Sequence, residues 1–266
     1  MREYGAFIAR RDGEPDFERR TLAHREDIMQ RFASSPVRYP APIDEPLFRR
    51  QLASFDPKLA TPPELLLLLA YVKMNAGEAY GVETTVAARH GPGAKVPPLE
   101  RLVALEEIYH TRLLLSAADL FGLKVEPVYR PPLVLRLLIG ALAWLPQRPF
   151  WSLLLAAEII GLQSFWRLFQ ATGRILHDRG EVRDALQERV AEILIDEIGH
   201  VSFNRIRVGR PGLAAARGFV PLLAKLTGYF TPETIPIGVA DISMRDAFQF
   251  DLGQLPDEIR RRAFVA

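Results

Sequence analysis

Two Glu-x-x-His motifs contain the residues of this sequence that are best suited to metal chemistry. The first places Glu107 three residues before His110, and the second places Glu197 three residues before His200. Residues three apart lie on one face of an α-helix, so the carboxylate and the imidazole of one motif can reach the same ion. If both motifs are helical, the sequence predicts a metal site built between two helices.

One further glutamate lies in a helical pattern before each motif, and each of these glutamates has a glycine three residues after it. The pairs are Glu78 with Gly81 and Glu158 with Gly161. The chain therefore repeats one unit twice, a helix with a glutamate followed by a helix with a Glu-x-x-His motif. Four carboxylates and two imidazoles are typical of a dinuclear metal site in a four-helix bundle. The six predicted metal ligands are Glu78, Glu107, His110, Glu158, Glu197 and His200.

The positions of the glutamates along their helices predict that the ligands meet in one layer. Glu78 lies 11 residues before Arg89, where the first helical pattern stops, and Glu107 lies 9 residues after Pro98, where the next begins. At about 1.5 Å per residue, the two glutamates lie about 16 Å and about 14 Å from the connection between their helices. The second pair of helices behaves alike. The alternative is four surface glutamates with unrelated histidines.

The residues around the glutamates are those of a core. Glu158 lies within the apolar segment 153–162, and Glu197 lies within the segment 193–198, which is apolar apart from its two acidic residues. A carboxylate among apolar side chains costs free energy unless a cation or hydrogen bonds compensate its charge. These two glutamates are therefore expected to be buried and compensated.

Glu83 is a rival of Glu78 as the ligand from the first helix. Glu78 is preferred because it continues the helical stripe of Leu67, Tyr71 and Met74 and because it alone has a glycine three residues later. Glu83 is then interpreted as a surface carboxylate or as a hydrogen-bond partner of a ligand.

The composition limits which metal ions the site could hold and excludes several kinds of site and partner. The 266 residues include no cysteine, so disulfides and thiolate metal sites are excluded. Hard oxygen ligands combined with imidazole favour iron or manganese over copper or structural zinc. The net charge of +2 is too small to indicate a nucleic-acid-binding surface, so no nucleic-acid partner is expected.

The ends and the most apolar segment bear on location. The N-terminus lacks an apolar signal segment, so a cytoplasmic location is the expectation. The apolar segment 132–146 is interrupted by Arg136 and is shorter than the roughly 20 residues of a membrane span. We therefore expect no transmembrane span, and a helix that covers the bundle is favoured over a segment on a membrane surface.

Helical periodicity and the helix-breaking residues predict an all-α chain. Residues 1–61 form an N-terminal extension with helices at Phe17–Phe32 and Leu47–Phe55 around a 36–46 loop, residues 62–209 form the metal-binding bundle, and residues 210–266 form a C-terminal helix and tail. The crossover between the second and third bundle helices is residues 124–149. The first predicted bundle helix starts at Pro62, and the other three span Pro98–Leu120, Phe150–His177 and Glu181–Val208. Pro211-Gly212 ends the last of them, and an outer helix spans Leu213–Tyr229.

Residues 62–209 resemble the ferritin-like di-iron carboxylate superfamily. The resemblance implies one ferritin-like four-helix bundle over the whole chain, with a long crossover between helices two and three and extra terminal helices. It implies two iron ions, or one manganese and one iron, with Glu107 and Glu197 each contacting both metals. It also implies that Asp196 hydrogen-bonds His110 and that Glu106, in the equivalent place of the first motif, holds His200.

Three positions depart from the patterns of known subfamilies. Leu114 stands where ribonucleotide reductases carry a radical tyrosine, and Leu162 stands where hydroxylating monooxygenases often carry a threonine. Ile193 stands where the arylamine N-oxygenases carry an additional histidine. The resemblance therefore does not identify a subfamily or a substrate.

The expected function is an O₂-activating non-haem di-iron oxygenase or oxidase that acts on a small organic substrate. An external electron donor is expected, and a homodimer is left open. Iron storage or detoxification and a metal-free structural bundle are the alternatives. Gly81 and Gly161 either leave space for O₂ or substrate or allow close helix packing. The aromatic residues Phe165, Trp166, Phe169 and Tyr109 indicate either an apolar pocket or, more commonly, an ordinary core.

Overall fold

The computed structural model is mainly α-helical in the part of the chain that it describes. It describes residues 2–11, 61–90, 97–115, 117–120, 132–239, 242, 247 and 250–265. No β-strand occurs within those ranges. The predicted N-terminal helices Phe17–Phe32 and Leu47–Phe55, with the loop between them, lie outside the described residues. The α-helices with described bounds are α1 (Arg2–Arg11), α2 (Pro62–His90), α3 (Pro98–Leu115), α4 (Ala117–Leu120), α5 (Leu133–Ala143), α6 (Gln147–Ile175), α7 (Gly180–Phe230) and α8 (Asp257–Arg262).

Four long helices hold the predicted ligand positions and pack against one another. Helix α2 packs against α3, and α6 packs against α7 along most of its length. Helix α2 also contacts α6, and α3 contacts α7, so the two pairs form one core.

In that core, the hydroxyl groups of Tyr71 and Thr172 are hydrogen-bonded at 2.8 Å. Burial raises the pKa of Tyr71, so its hydroxyl stays protonated.

Helix α2 begins where the sequence predicts. Pro62 has no N–H to leave unpaired, which suits the first turn of a helix. The backbone N–H of Thr61 donates a hydrogen bond to the Glu64 carboxylate, which lies in that turn. Glu64 also pairs with Arg179, whose Nε lies 2.7 Å from Oε1, so the start of α2 is tied to the start of α7.

Helix α5 is the apolar helix of the crossover, and it covers part of the helical core. It packs against α2, and its inner residues, among them Leu138 and Leu142, line a cavity. On its outer face Leu133, Val134 and Leu137 are exposed.

Among the described residues, α6 is the one helix long and apolar enough to cross a membrane, but 72% of its most apolar 18-residue window is buried inside the protein. Its apolar composition thus matches its place in the core.

The break in α7 falls directly after Val208, where the sequence predicts the end of the fourth bundle helix, but not at the residues predicted to end it. Pro211 and Gly212 were expected to end the fourth bundle helix, but both lie within α7. The break falls at Gly209, whose φ of 63° lies in the left-handed region. Pro211 then lies in the first turn of the helical segment that follows, where a missing N–H costs no hydrogen bond. The glycine rather than the proline therefore separates the two segments.

The terminal segments pack onto the long helices. Tyr4 of α1 is almost completely buried, and its ring lies 5.1 Å from that of Phe203 and 5.2 Å from that of Phe264. Near the C-terminus, Ile237 and Ile259 are buried in the main hydrophobic cluster. The described part of the C-terminal tail therefore packs over the core.

Candidate metal centre

The structure brings five of the six predicted ligands together in the interior. They are Glu107 and His110 of α3, Glu158 of α6, and Glu197 and His200 of α7, and all five side chains are buried. The backbone of Glu78 lies in α2, but its side chain and that of Glu83 lie outside the described residues. The choice between these two glutamates therefore stays a prediction.

Four of these residues form a group that could hold a metal ion. One ligand atom from each of Glu107, Glu158, Glu197 and His200 lies within 4.8 Å of the others. Three carboxylates and one imidazole from three different helices converge there. Oxygen and imidazole-nitrogen donors of this kind suit iron or manganese.

His110 extends the cluster on the other side of Glu107. The two oxygens of Glu107 face different imidazoles, because Oε1 lies 3.0 Å from Nδ1 of His200 while Oε2 lies 3.6 Å from Nδ1 of His110. Oε1 of Glu197 lies 3.3 Å from the same His110 nitrogen. The two rings are 5.7 Å apart, measured between centroids. Glu107 therefore has the geometry of a carboxylate that could contact two ions.

The outer nitrogen of each histidine is hydrogen-bonded to a buried carboxylate. Nε2 of His110 lies 3.1 Å from Asp196, and Nε2 of His200 lies 2.8 Å from Glu106. These are the two pairings that the family resemblance implies, and each one joins α3 to α7. A carboxylate accepts a hydrogen bond, so Nε2 of each neutral ring carries the proton and Nδ1 carries the lone pair.

The Nδ1 atoms of the two histidines, which point into the cluster, test whether a metal fits the site. Nδ1 of His110 and Nδ1 of His200 are both buried and have no hydrogen-bond partner of acceptable geometry among the described residues. Each faces carboxylate oxygens, which are also electron-pair donors. Unpaired buried acceptors are costly unless a proton or a cation lies between them. The donor set therefore fits metal ions.

The charge environment of the two histidines favours a positive ring when no metal is present. Burial lowers the pKa of His110, but the neighbouring carboxylates, Asp196 first, outweigh burial and hold the pKa well above its ordinary value. The pKa of His200 is raised in the same way, with Glu106 as the first of its carboxylate neighbours. A metal that binds here must therefore displace protons.

The three central carboxylates differ in protonation. Burial raises the pKa of Glu107, but the imidazoles of His110 and His200 outweigh it and lower that pKa to about 2. For Glu158, burial and then the negative charges of Glu107 and Glu197 raise the pKa well above its ordinary value. Burial and the charge of Glu107 also raise the pKa of Glu197. Without a metal, the cluster therefore retains protons on groups that ligate only when deprotonated.

A cavity of about 440 Å³ lies beside the cluster. The carboxylates Glu107, Glu158 and Glu197 form part of its wall, and side chains of α5, α6 and the second segment of α7 supply most of the rest. The wall is mainly apolar. A volume of this size is in the range of pockets that bind small organic molecules.

Both glycines that the sequence singles out line this cavity. A Cβ atom on Gly81 would have no atom of a described residue within 4 Å, and one on Gly161 would lie 3.5 Å from Oε2 of Glu197. Among the described residues, no backbone of a neighbouring helix lies close to where either Cβ would stand. These distances favour space beside the ligands over close helix packing as the reason for the two glycines.

The aromatic residues near the motifs have mixed roles. Phe165 lines the cavity and also belongs to the main hydrophobic cluster. Trp166 and Phe169 stack on each other with ring centroids 5.5 Å apart. The Tyr109 hydroxyl donates a hydrogen bond of 2.8 Å to Glu192. Core packing therefore explains most of these residues, as the commoner interpretation expects.

Some residues of the site carry little signal in the sequence. Asn204 and Ser164 line the cavity, and their side-chain polar atoms are buried with no hydrogen-bond partner among the described residues. Asn204 follows His200 by four residues, which is the only sequence feature that could have placed it near the ligands. Gly199 leaves room for the ring of Tyr4, 3.6 Å from where a Cβ would stand, and no local pattern indicates that contact.

Comparisons with known proteins do not assign a family. No protein-family model, curated protein or solved structure matches the chain at a significant level. The buried glutamate and histidine cluster is compatible, by its geometry and its donor atoms, with a di-iron carboxylate site.

Proposed function

We propose that this protein is a ferritin-like, O₂-activating non-haem di-iron oxygenase or oxidase that acts on a small organic substrate with apolar character. One observation carries the proposal. Two buried Nδ1 atoms, which have no hydrogen-bond partner among the described residues, converge on three buried carboxylates that form part of the wall of a largely apolar cavity. A metal-free structural bundle would have to keep protons between these buried acceptors, whereas bound metal ions would satisfy the imidazoles and the carboxylates together.

The proposed ions are two irons, or one manganese and one iron. One would be held by Glu158 and His200 and the other by His110, with Glu107 and Glu197 shared between them and Glu78 as the sixth expected ligand. When bound, such a metal pair supplies binding and reduction of O₂. The role of the chain's own residues is to fix the ligands, to exclude water and to place a substrate beside them.

The cavity favours an enzyme over a storage protein. Its wall contains three of the proposed ligands, so a molecule inside it would lie against the metals. Inserting one oxygen atom of O₂ into a substrate and reducing the other to water consumes two electrons and two protons. An external electron donor is therefore part of the proposal. The proposed location is the cytoplasm.

The experiment that tests the proposal is metal analysis combined with optical spectra of the reduced protein before and after exposure to O₂. We expect about two metal ions per chain and a change in the spectrum that depends on O₂. His200→Ala should lower the metal content, whereas His177→Ala should not, because the side chain of His177 is 70% exposed and pairs with Asp178.

Two outcomes would contradict the proposal. Less than about half a metal ion per chain after reconstitution would remove the di-metal site. Continued uptake of ferric iron, well beyond two ions per chain and in an oligomeric shell, would show a storage protein instead.

A further inference from the structure

A second group of polar residues lies two helical turns away from the metal cluster. Glu100 precedes Glu107 by seven residues and Arg207 follows His200 by seven, so both are displaced by about 10 Å along their helices. With Arg89 of α2 and Trp151 of α6, they form a layer to which all four long helices contribute. We call these four residues the arginine layer.

The arginine layer contains more positive than negative charge. Both oxygens of Glu100 are engaged, one by Arg207 at 2.6 Å and the other by Nε2 of His90 at 3.1 Å. Arg89 donates a hydrogen bond of 2.9 Å to the carbonyl oxygen of Leu145. The layer therefore has two guanidinium groups and one carboxylate, and the oxygens of that carboxylate are already bonded to Arg207 and His90.

The two guanidinium groups are held in position by aromatic rings. The guanidinium carbon of Arg89 lies 3.4 Å from the centroid of Phe150, and that of Arg207 lies 3.3 Å from the centroid of Trp151. Stacking of this kind orients the planar donor groups and leaves their edges available for hydrogen bonds. The layer is thus organised in advance of any ligand.

Several polar atoms in and beside the layer have no hydrogen-bond partner among the residues that the structure describes. Nε of Arg89 and Nη1 of Arg207 are buried without a hydrogen bond among the described residues. The amide oxygen and nitrogen of Asn204, a residue that is only 1% exposed, also lack a partner within the described part of the chain. Arg89 and Asn204 both line the cavity that reaches the metal cluster. Unpaired buried donors of this kind are costly, so a ligand that accepts from them would be stabilised.

Most of the remaining cavity wall offers only apolar contacts. Leu138 and Leu142 of α5, Leu154 of α6 and Leu226 of α7 face it. A ligand that fits the whole cavity therefore needs an apolar body between the metal cluster and the arginine layer. It also needs a group that accepts hydrogen bonds at the layer.

We infer that the cavity binds an amphiphilic carboxylate, with its carboxylate at Arg89 and Asn204 and its apolar chain directed along the cavity toward the metal cluster. A planar carboxylate matches the donor fork of a guanidinium, and a single negative charge matches the one unbalanced positive charge of the layer. The inference rests on the proposed function for its claim that this molecule is the substrate. The binding site itself stands on the contacts of the arginine layer.

The test compares decanoate with decan-1-ol by isothermal titration calorimetry. The two probes have the same chain length and differ in the charged head group. Wild-type protein should bind decanoate about 10- to 100-fold more tightly, as expected for charge-assisted hydrogen bonds. Arg89→Gln should remove most of this preference while leaving decan-1-ol binding nearly unchanged. Arg183→Gln, which changes a partly exposed arginine that pairs with Asp184 near the start of α7, should keep the preference.

Asn204→Leu provides a second variant in case Arg89→Gln does not fold. Leucine has the same number and branching of side-chain heavy atoms and cannot accept or donate a hydrogen bond, so the variant should be at least as stable as wild type while it binds decanoate more weakly. A wild-type protein that binds neither probe, or binds both equally, would overturn the inference. So would an unchanged preference for decanoate in both variants.

The experiment also separates this inference from the proposed function. Binding is measured on metal-loaded protein and on protein treated with a chelator, and metal content is determined for both. A preference for decanoate that disappears with the metal would place the carboxylate on the ions and overturn the assignment to Arg89. A preference that persists after the chelator has removed the metal would support the carboxylate site. A protein that takes up no metal on reconstitution but keeps this preference would remove the di-metal proposal and leave the carboxylate site standing.

Discussion

The Glu106 carboxylate and the His200 ring lie 2.8 Å apart, and both side chains are completely buried. The contact joins α3 to α7 and is matched by the contact of Asp196 with His110 at 3.1 Å. Each Glu-x-x-His helix thus supplies the carboxylate that orients the histidine of the other helix. The two motifs cannot be positioned independently.

Replacement of Asp196 by asparagine should slow the reaction with O₂ more than it lowers metal content. The amide oxygen can still accept from Nε2 of His110, so the ring keeps its orientation but loses the adjacent negative charge. We expect a rate about 10- to 100-fold lower with nearly full metal loading. Stopped-flow spectroscopy measures the rate, and elemental analysis measures the metal.

Glu192→Gln is the matched control for that variant. Glu192 lies one turn before Asp196 on α7 and accepts its hydrogen bond from Tyr109 rather than from a histidine. It should react with O₂ at close to the wild-type rate. A wild-type rate for Asp196→Asn would show that the carboxylate has no influence on the metals.

Loss of Glu107 should be more damaging to metal binding than loss of Glu158. The oxygens of Glu107 face both imidazoles, whereas Glu158 faces His200 alone, with Oε2 3.8 Å from Nδ1. We therefore expect Glu107→Ala to retain little metal and Glu158→Ala to retain about one ion per chain. Equal metal contents in the two variants would contradict a shared role for Glu107.

Removing the metal should make the stability of the protein depend on pH. The pKa values of His110 and His200 are raised in the folded state, so the stability they contribute is complete below about pH 6.5 and is lost as the pH rises through the raised values. The raised pKa values of Glu158 and Glu197 act in the same direction, because deprotonation is easier in the unfolded chain. Glu107 contributes oppositely, and only as the pH falls toward about 2.

The measurement is the melting temperature of chelator-treated and metal-loaded protein at about pH 6 and about pH 8. The treated protein should melt at a lower temperature at the higher pH. The loaded protein should change less, since metal ions replace the protons of the cluster. Glu158→Gln, which cannot lose a proton, should weaken the dependence in the treated protein. A treated protein with equal melting temperatures at both pH values would show that the cluster retains no such protons.

Local sequence patterns could predict the long helices and the ligand faces. The Glu-x-x-His spacing places its two residues on one helical face wherever the chain is helical, and helix-starting prolines such as Pro62 and Pro98 mark where α2 and α3 begin. The stripe that leads to Glu78 is likewise found in the core, with Leu67 and Tyr71 completely buried. These features depend on neighbours within a few turns, which a single sequence contains.

Contacts between distant parts of the chain could not be predicted in the same way. The packing of Tyr4 on Phe203 joins residues 199 positions apart, and neither residue has a local feature that indicates the other. The arginine layer requires the relative heights of all four long helices, although Arg89 and Arg207 are unremarkable in their own segments. The predicted end of the fourth bundle helix at Val208 is correct, but the break falls at Gly209 rather than at Pro211. A glycine and a proline two residues apart both break helices, and only the backbone conformation distinguishes them.

A leucine at position 161 should separate a reactive pocket from simple metal binding. A Cβ there would stand 3.5 Å from Oε2 of Glu197, which is an ordinary contact, so an alanine fits without moving the ligand. The longer leucine side chain would extend into the cavity that Gly161 lines. Gly161→Ala should retain metal, stabilise α6 by up to about 1 kcal/mol and react nearly normally. Gly161→Leu should also retain metal, because no ligand is changed, but it should react more slowly with O₂ or substrate.

Gly218→Leu controls for helix propensity alone, because Gly218 is an exposed helical position where a Cβ would have no atom of a described residue within 4 Å. Metal content, melting temperature and O₂ reaction rate are compared across the three variants. If Gly161→Leu unfolds while Gly161→Ala is normal, the side chain has no room and the space beside Glu197 is too small for a substrate. If Gly161→Leu folds, keeps its metal and reacts at the wild-type rate, the cavity is not the route to the metals.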